Sequence, residues 1–170
     1  MPSRSAPVVV IMGITGSGKS TVGRALADRL AVPFADGDDF HSPQAKARMA
    51  GGTPLTDSDR MPWLHRIGAW LARHEAGAVV ACSALRRAYR DVLRDSSPTT
   101  VFVHLVGDIE IARERVRRRT NHFMPAELVD SQQATLEPLA ADEAGITLRF
   151  DLPVDDIVDR VSAWLAMQRA

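Results

Sequence analysis

Lys19 and Ser20 close the stretch Gly13-Ile14-Thr15-Gly16-Ser17-Gly18-Lys19-Ser20, in which the first glycine, the Gly18-Lys19 pair and the final hydroxyl stand at fixed spacing. These residue types suit a loop wrapped around the phosphates of a nucleoside triphosphate. Glycines let successive backbone N–H groups close on phosphate oxygens, a lysine at this place reaches the β- and γ-phosphates, and the hydroxyl can ligate Mg²⁺. Thr21 follows in the first turn of a predicted helix, whose N-terminal dipole favours the same anion.

A second group follows about one helix later, in Asp36-Gly37-Asp38-Asp39-Phe40-His41. Phosphoryl transfer works mainly by positioning and charge stabilisation, and it needs a carboxylate near the metal and another near the attacking hydroxyl. On an extended segment an Asp-x-Asp pair points both side chains the same way, so Asp36 is assigned to the metal with Ser20, and Asp38 to the acceptor hydroxyl. The run Ala78–Cys82 leads into Ser83 with no aspartate, which leaves the metal role to Asp36 or Asp38.

Positive charge gathers further on. Arg115 and Arg119 lie four apart on one helical face, and Arg117–Pro125 carries a basic cluster into a segment read as a mobile lid over about 117–127, with His122 inside it. A γ-phosphoryl group in transfer needs positive charge brought close and water kept out, so Arg119 is assigned to catalysis with Lys19 and Asp38. Arg86, Arg87, Tyr89, Arg90 and Arg94 fall on another helix, whose basic face opens either on the cleft or on water. Cys82 is read as an apolar filler.

The elements that must hold these groups are legible as an alternation. Apolar β-branched runs at Val8–Met12, Pro33–Ala35, Ala78–Cys82, Thr100–Leu105 and Ile146–Phe150 alternate with helical patterns at Lys19–Leu30, Pro43–Ala50, Pro62–His74, Arg86–Asp95, Asp108–Arg119, Ala126–Leu136 and Val154–Gln168. That order predicts an α/β phosphate-loop NTPase fold, a parallel sheet of about five strands flanked by helices. In open α/β sheets ligands bind beyond the carboxyl ends of the strands, where the glycine-rich loop and the Asp36 segment both fall. Gly51–Arg60 reads as a polar loop between two helices that covers a substrate.

A chain of 170 residues with zero formal net charge is read as one domain, 1–170, binding a small molecule rather than nucleic acid. The single cysteine excludes an internal disulfide and suits a reducing compartment. With no run of transmembrane length and no signal-peptide core at Met1–Pro7, the expectation is a cytoplasmic protein without a membrane partner.

Taken in order, these residues resemble the gluconate kinase family of small phosphate-loop carbohydrate kinases, related in fold to shikimate and nucleoside monophosphate kinases. The likeness is carried by the loop, Gly37-Asp38 to His41, Leu55 through Asp57-Ser58-Asp59-Arg60 to Trp63-Leu64, Cys82-Ser83-Ala84-Leu85-Arg86, His122-Phe123-Met124-Pro125, and Ser131-Gln132 with Thr135-Leu136-Glu137-Pro138. It implies ATP- and Mg²⁺-dependent phosphorylation of D-gluconate at the 6-hydroxyl, and a homodimer. It also implies substrate contacts at Asp38, His41, Arg60, Ser83, Arg86 and His122, with Arg115 and Pro153 beside the nucleotide. The chain departs from the family at Thr120-Asn121, where lysine-glycine is common, at Gln133-Ala134, and at Arg86, where lysine is commoner. Two other readings are another small-molecule kinase of the same architecture and a nucleotide-binding switch. The guanine-recognition motif of switch GTPases is missing, since the only asparagine, Asn121, precedes His122.

Overall fold

In the computed structural model, residues 6–119 and 127–168 are described. Five strands, β1 (Val8–Met12), β2 (Phe34–Asp36), β3 (Ala78–Ala81), β4 (Val101–Val106) and β5 (Gly145–Arg149), form one parallel sheet in the order β2-β3-β1-β4-β5. Every residue of β1 and β3 is buried, as expected of central strands covered on both faces.

The helices are α1 (Lys19–Leu30), α2 (Pro43–Ala50), α3 (Asp57–Arg73), α4 (Arg87–Ser96), α5 (Ile109–Arg118), α6 (Glu127–Thr135) and α7 (Val154–Gln168). The first crossover, from β1 through α1, steps across β3 to β2, and every later one steps the opposite way. With right-handed crossovers, a reversal of direction moves the helices to the other face of the sheet. Consistently, α1 packs with α7, and α3 with α4. The reversal leaves a crevice at the carboxyl ends of β1 and β3.

Most predicted boundaries hold within a residue, but the segment 51–60 does not stay a loop. α3 begins at Asp57, five residues before the expected Pro62, because Thr56 and Asp59 form a capping box. The Asp59 N–H donates to Thr56 Oγ1 at 3.2 Å, and the Thr56 N–H donates to Asp59 Oδ2 at 2.9 Å. Pro62 therefore lies inside the helix, where it removes one backbone donor.

The basic face of α4 opens neither on the cleft nor on water at its centre. Arg90 is fully buried and forms a two-pronged pair with the buried Glu143, Nε to Oε1 at 2.7 Å and Nη2 to Oε2 at 2.9 Å. It also donates to the carbonyls of Ala84, at 2.9 Å, and Glu137, at 3.0 Å. One guanidinium thus ties α4 to the turn after β3 and to the segment leading into β5. Burial opposes the charge on Glu143, but hydrogen bonds from Arg90 and the Ala140 N–H outweigh it and hold the carboxyl down at about 2.

His104 on β4 is buried with neither ring nitrogen bonded, and burial followed by the Arg90 charge lowers its pKa to about 4, so it is neutral. Ala45, Met49, Leu55 and Leu128 form a small apolar cluster separate from the main core. It joins α2, the approach to α3 and α6.

Candidate active site

The glycine-rich loop crosses from buried β1 to α1. Gly13, Gly16 and Gly18 all hold positive φ. At Gly16, with φ +84°, a Cβ would also stand 2.5 Å from the Ala112 carbonyl of α5, so only glycine fits between the loop and that helix. Lys19 opens α1 and bends back over the loop, donating from Nζ to the Ile14 carbonyl at 3.0 Å. Burial lowers its pKa, with the Asp38 charge opposing.

Asp36 and Asp38 are not side by side on an extended strand. β2 ends at Asp36, and Gly37–Phe40 turn at once into a short 3₁₀ helix capped by the Asp36 side chain, whose Oδ1 accepts the Asp38 N–H at 3.0 Å. Gly37 permits that turn because a Cβ there would meet the Ala81 carbonyl at 2.5 Å. The other Asp36 oxygen accepts the Ser20 hydroxyl at 2.7 Å. Burial, then the neighbouring Asp36 charge, raises the Asp38 pKa, while Lys19 opposes. A half-exposed, more basic carboxylate facing a lysine suits proton acceptance.

A cleft of about 110 Å³ brings together Thr15, Gly16, Gly18, Lys19 and Ser20 of the loop with Asp36, Asp38, His41, Arg60, Ser83 and Arg119. Arg119 reaches it from the C-terminal end of α5. Gly13, Ile14, Ser17 and Thr21 belong to the loop and α1 without lining that cleft. Arg115 lies beside the loop, donating to the Gly16 carbonyl at 3.3 Å and the Phe150 carbonyl at 3.0 Å. Pro153, exposed, follows Phe150 in the turn into α7. Arg86 precedes α4 outside the cleft wall, 3.8 Å from Asp57. His122 and the rest of the expected lid between Arg119 and Glu127 lie outside the described residues.

Sequence reasoning passed over several groups in the wall. Trp63 donates from Nε1 to the Gly37 carbonyl at 2.7 Å and stacks on His41 at 4.2 Å between ring centroids. Burial, then the Arg66 charge, lowers His41 to about 4, so its imidazole is neutral despite lying 3.9 Å from Asp38. Gln132 of α6 accepts the Thr15 N–H at 2.7 Å. The paired Ser131-Gln132 in an otherwise ordinary helix was the signal available for it.

Among the described residues no three His, Cys, Asp or Glu side chains converge on a metal position. Ser20 and Asp36 nonetheless present hard oxygen donors within hydrogen-bond distance of each other, and Mg²⁺ in such sites takes one or two protein oxygens and fills its shell with phosphate and water. The donor set fits that ion.

The shikimate kinase family model matches residues 15–149, and a probable gluconokinase of Xenopus tropicalis is 42% identical over 172 residues, covering 91% of this chain and 90% of that protein. The chain belongs to the gluconokinase family. A second gluconokinase relative, the thermosensitive gluconokinase of Escherichia coli strain K12, is 42% identical over 150 residues, covering 86% of this chain and 79% of that protein. The crystal structure of a gluconokinase from Sinorhizobium meliloti 1021 superposes with a TM-score of 0.87 at 43% identity, covering 98% of this chain and 95% of that one.

Proposed function

We propose that this protein phosphorylates D-gluconate at the 6-hydroxyl with ATP, giving 6-phospho-D-gluconate and ADP, as one kinase domain over residues 1–170. The observation that carries the reading is the meeting of Asp38, Lys19 and the loop in one cleft with Arg60 in its wall, in a chain of the gluconokinase family.

The loop amides and Lys19 hold the triphosphate. Asp38 accepts the proton of the acceptor hydroxyl as its oxygen attacks the γ-phosphorus, and the β–γ bridging oxygen leaves with ADP. Lys19 and Arg119 offset the charge on the transferred group. Arg60, with its guanidinium anchored by donation to the Tyr89 hydroxyl at 3.0 Å, is placed to take the gluconate carboxylate. His41 and Ser83 offer neutral hydrogen-bonding groups to sugar hydroxyls, with Arg86 and His122 as further substrate contacts. Ser20 and Asp36 would hold Mg²⁺, which neutralises phosphate charge when bound. Arg115 and Pro153 border the nucleotide base.

Among the described residues no helix is long and apolar enough to cross a membrane; a cytoplasmic setting and a homodimer are proposed from the family likeness. The deciding experiment is ADP release with Mg·ATP across gluconate, other sugar acids, shikimate and nucleoside monophosphates. Turnover on gluconate is expected. Turnover on another acceptor, with gluconate inert, would replace the substrate while leaving the chemistry.

A further inference from the structure

Lys19 and Gln132 hold opposite ends of one peptide unit. The Ile14 carbonyl accepts from Lys19 Nζ at 3.0 Å, and the Thr15 N–H of the same peptide donates to Gln132 Oε1 at 2.7 Å. A cation at the carbonyl end polarises the peptide and strengthens its N–H as a donor. Gln132 comes from α6, remote in sequence, and with Lys19 and Asp38 it lines the cleft.

The contact fixes the orientation of the glutamine amide. A backbone N–H can only donate, so the atom facing it is the carbonyl oxygen, and the NH₂ group is free of that contact. Gln132 lines the cleft, and its amide carries a neutral donor on a side chain already held at its oxygen. Fixed donors aimed at developing charge are the arrangement that stabilises a transferring group without reorganisation. Asp36 and Asp38 supply acceptors in the same cleft, while Lys19 and Arg119 are full charges. A neutral donor adds hydrogen bonding without further lowering the nucleophile's basicity.

We propose that Gln132 is a catalytic residue: with Oε1 held by the Thr15 N–H, its Nε2 donates to an oxygen of the transferred phosphoryl group. This rests on the phosphotransfer reading above.

The test compares wild type, Gln132→Glu and Gln132→Ala. Glutamate keeps the acceptor for Thr15 N–H and loses the donor, whereas alanine loses both. At pH 7.5 kcat is expected to fall about 100-fold or more in both variants, the scale for loss of one preorganised donor, with KM for gluconate within about threefold of wild type. In Gln132→Glu, kcat relative to wild type should recover as pH falls, because a protonated carboxyl regains an O–H donor. Gln132→Ala should show no such recovery. The wild-type profile, measured alongside, carries what Lys19, Asp36, Asp38, His41, Arg60 and Arg119 contribute from the same cleft.

Without turnover, amide hydrogen exchange in the nucleotide-free protein should find Thr15 protected in wild type and Gln132→Glu and exposed in Gln132→Ala, which also reports that the variants fold. A Gln132→Glu enzyme as fast as wild type, with only Gln132→Ala impaired, would reduce Gln132 to an anchor for α6 and overturn the proposal. So would both variants within about threefold of wild type. Wild type inert toward gluconate but active on another acceptor would fail the substrate reading alone, and the variants would then be compared on that acceptor.

Discussion

The Ser20 hydroxyl and the Asp36 carboxylate meet at 2.7 Å, and the second oxygen of that carboxylate holds the backbone N–H of Asp38 at 3.0 Å. One side chain thus connects the proposed metal ligand to the residue proposed to face the acceptor. Ser20→Ala and Asp36→Asn are each expected to raise the KM for Mg·ATP, and the double variant should cost less than the two combined, by about 0.5–3 kcal/mol of coupling. A cycle that closes additively would mean the two residues act apart.

Asp38→Asn preserves shape and removes the proposed proton acceptor. Its kcat should fall by about 10²–10⁴-fold, the range for a general base, while the dissociation constant for ATP stays close to wild type by titration calorimetry. Turnover near wild type would remove Asp38 from the chemistry.

Arg90 and Glu143 are both inaccessible to solvent, so truncating Arg90 leaves the buried carboxylate with Arg94, at 3.0 Å, as its remaining cation. Arg90→Met should cost about 3–5 kcal/mol in urea unfolding. Arg90→Lys should recover little, because an ammonium cannot match the two-pronged geometry and the Ala84 and Glu137 carbonyls together. A full rescue by lysine would show that charge alone matters there.

His41 and His104 set the acid sensitivity of the fold. Each has an ordinary value of 6.5 and a folded value of about 4. Between those limits the unfolded chain binds more protons, so stability is fully present above about pH 6.5 and falls as pH drops toward 4, by up to about 3 kcal/mol for each ring. Glu143, held at about 2 against 4.5, adds a further loss below that window. The urea midpoint should decline from pH 7 to 4.5, and His104→Leu should flatten the decline while raising stability at pH 7 by about 1 kcal/mol, since an unpaired buried ring is removed. An unchanged slope in that variant would refute the assignment.

The loop, the strands and most helices were legible because each rests on local pattern: a fixed glycine spacing, β-branched runs, apolar faces. What escaped depends on partners distant in sequence. Nothing near Arg90 announces Glu143, and nothing near Thr15 announces Gln132. The start of α3 at Asp57 rather than Pro62 has a different cause, since the reciprocal cap between Thr56 and Asp59 opens the helix five residues earlier. The Asp36–Asp38 pair was correctly located but wrongly shaped, because capping of the next turn by Asp36 overrides strand alternation.

The satellite cluster of Ala45, Met49, Leu55 and Leu128 divides the molecule's cohesion unequally. The sheet and its main helices share one continuous interior, whereas α2 and the approach to α3 meet α6 beside the cleft through a separate cluster of four side chains. Regions with few apolar contacts open at lower free energy than the whole. The enzyme is therefore built to loosen over its ligands without surrendering its frame. Limited proteolysis should first cut within residues 45–56, and bound nucleotide and gluconate together should delay that cut.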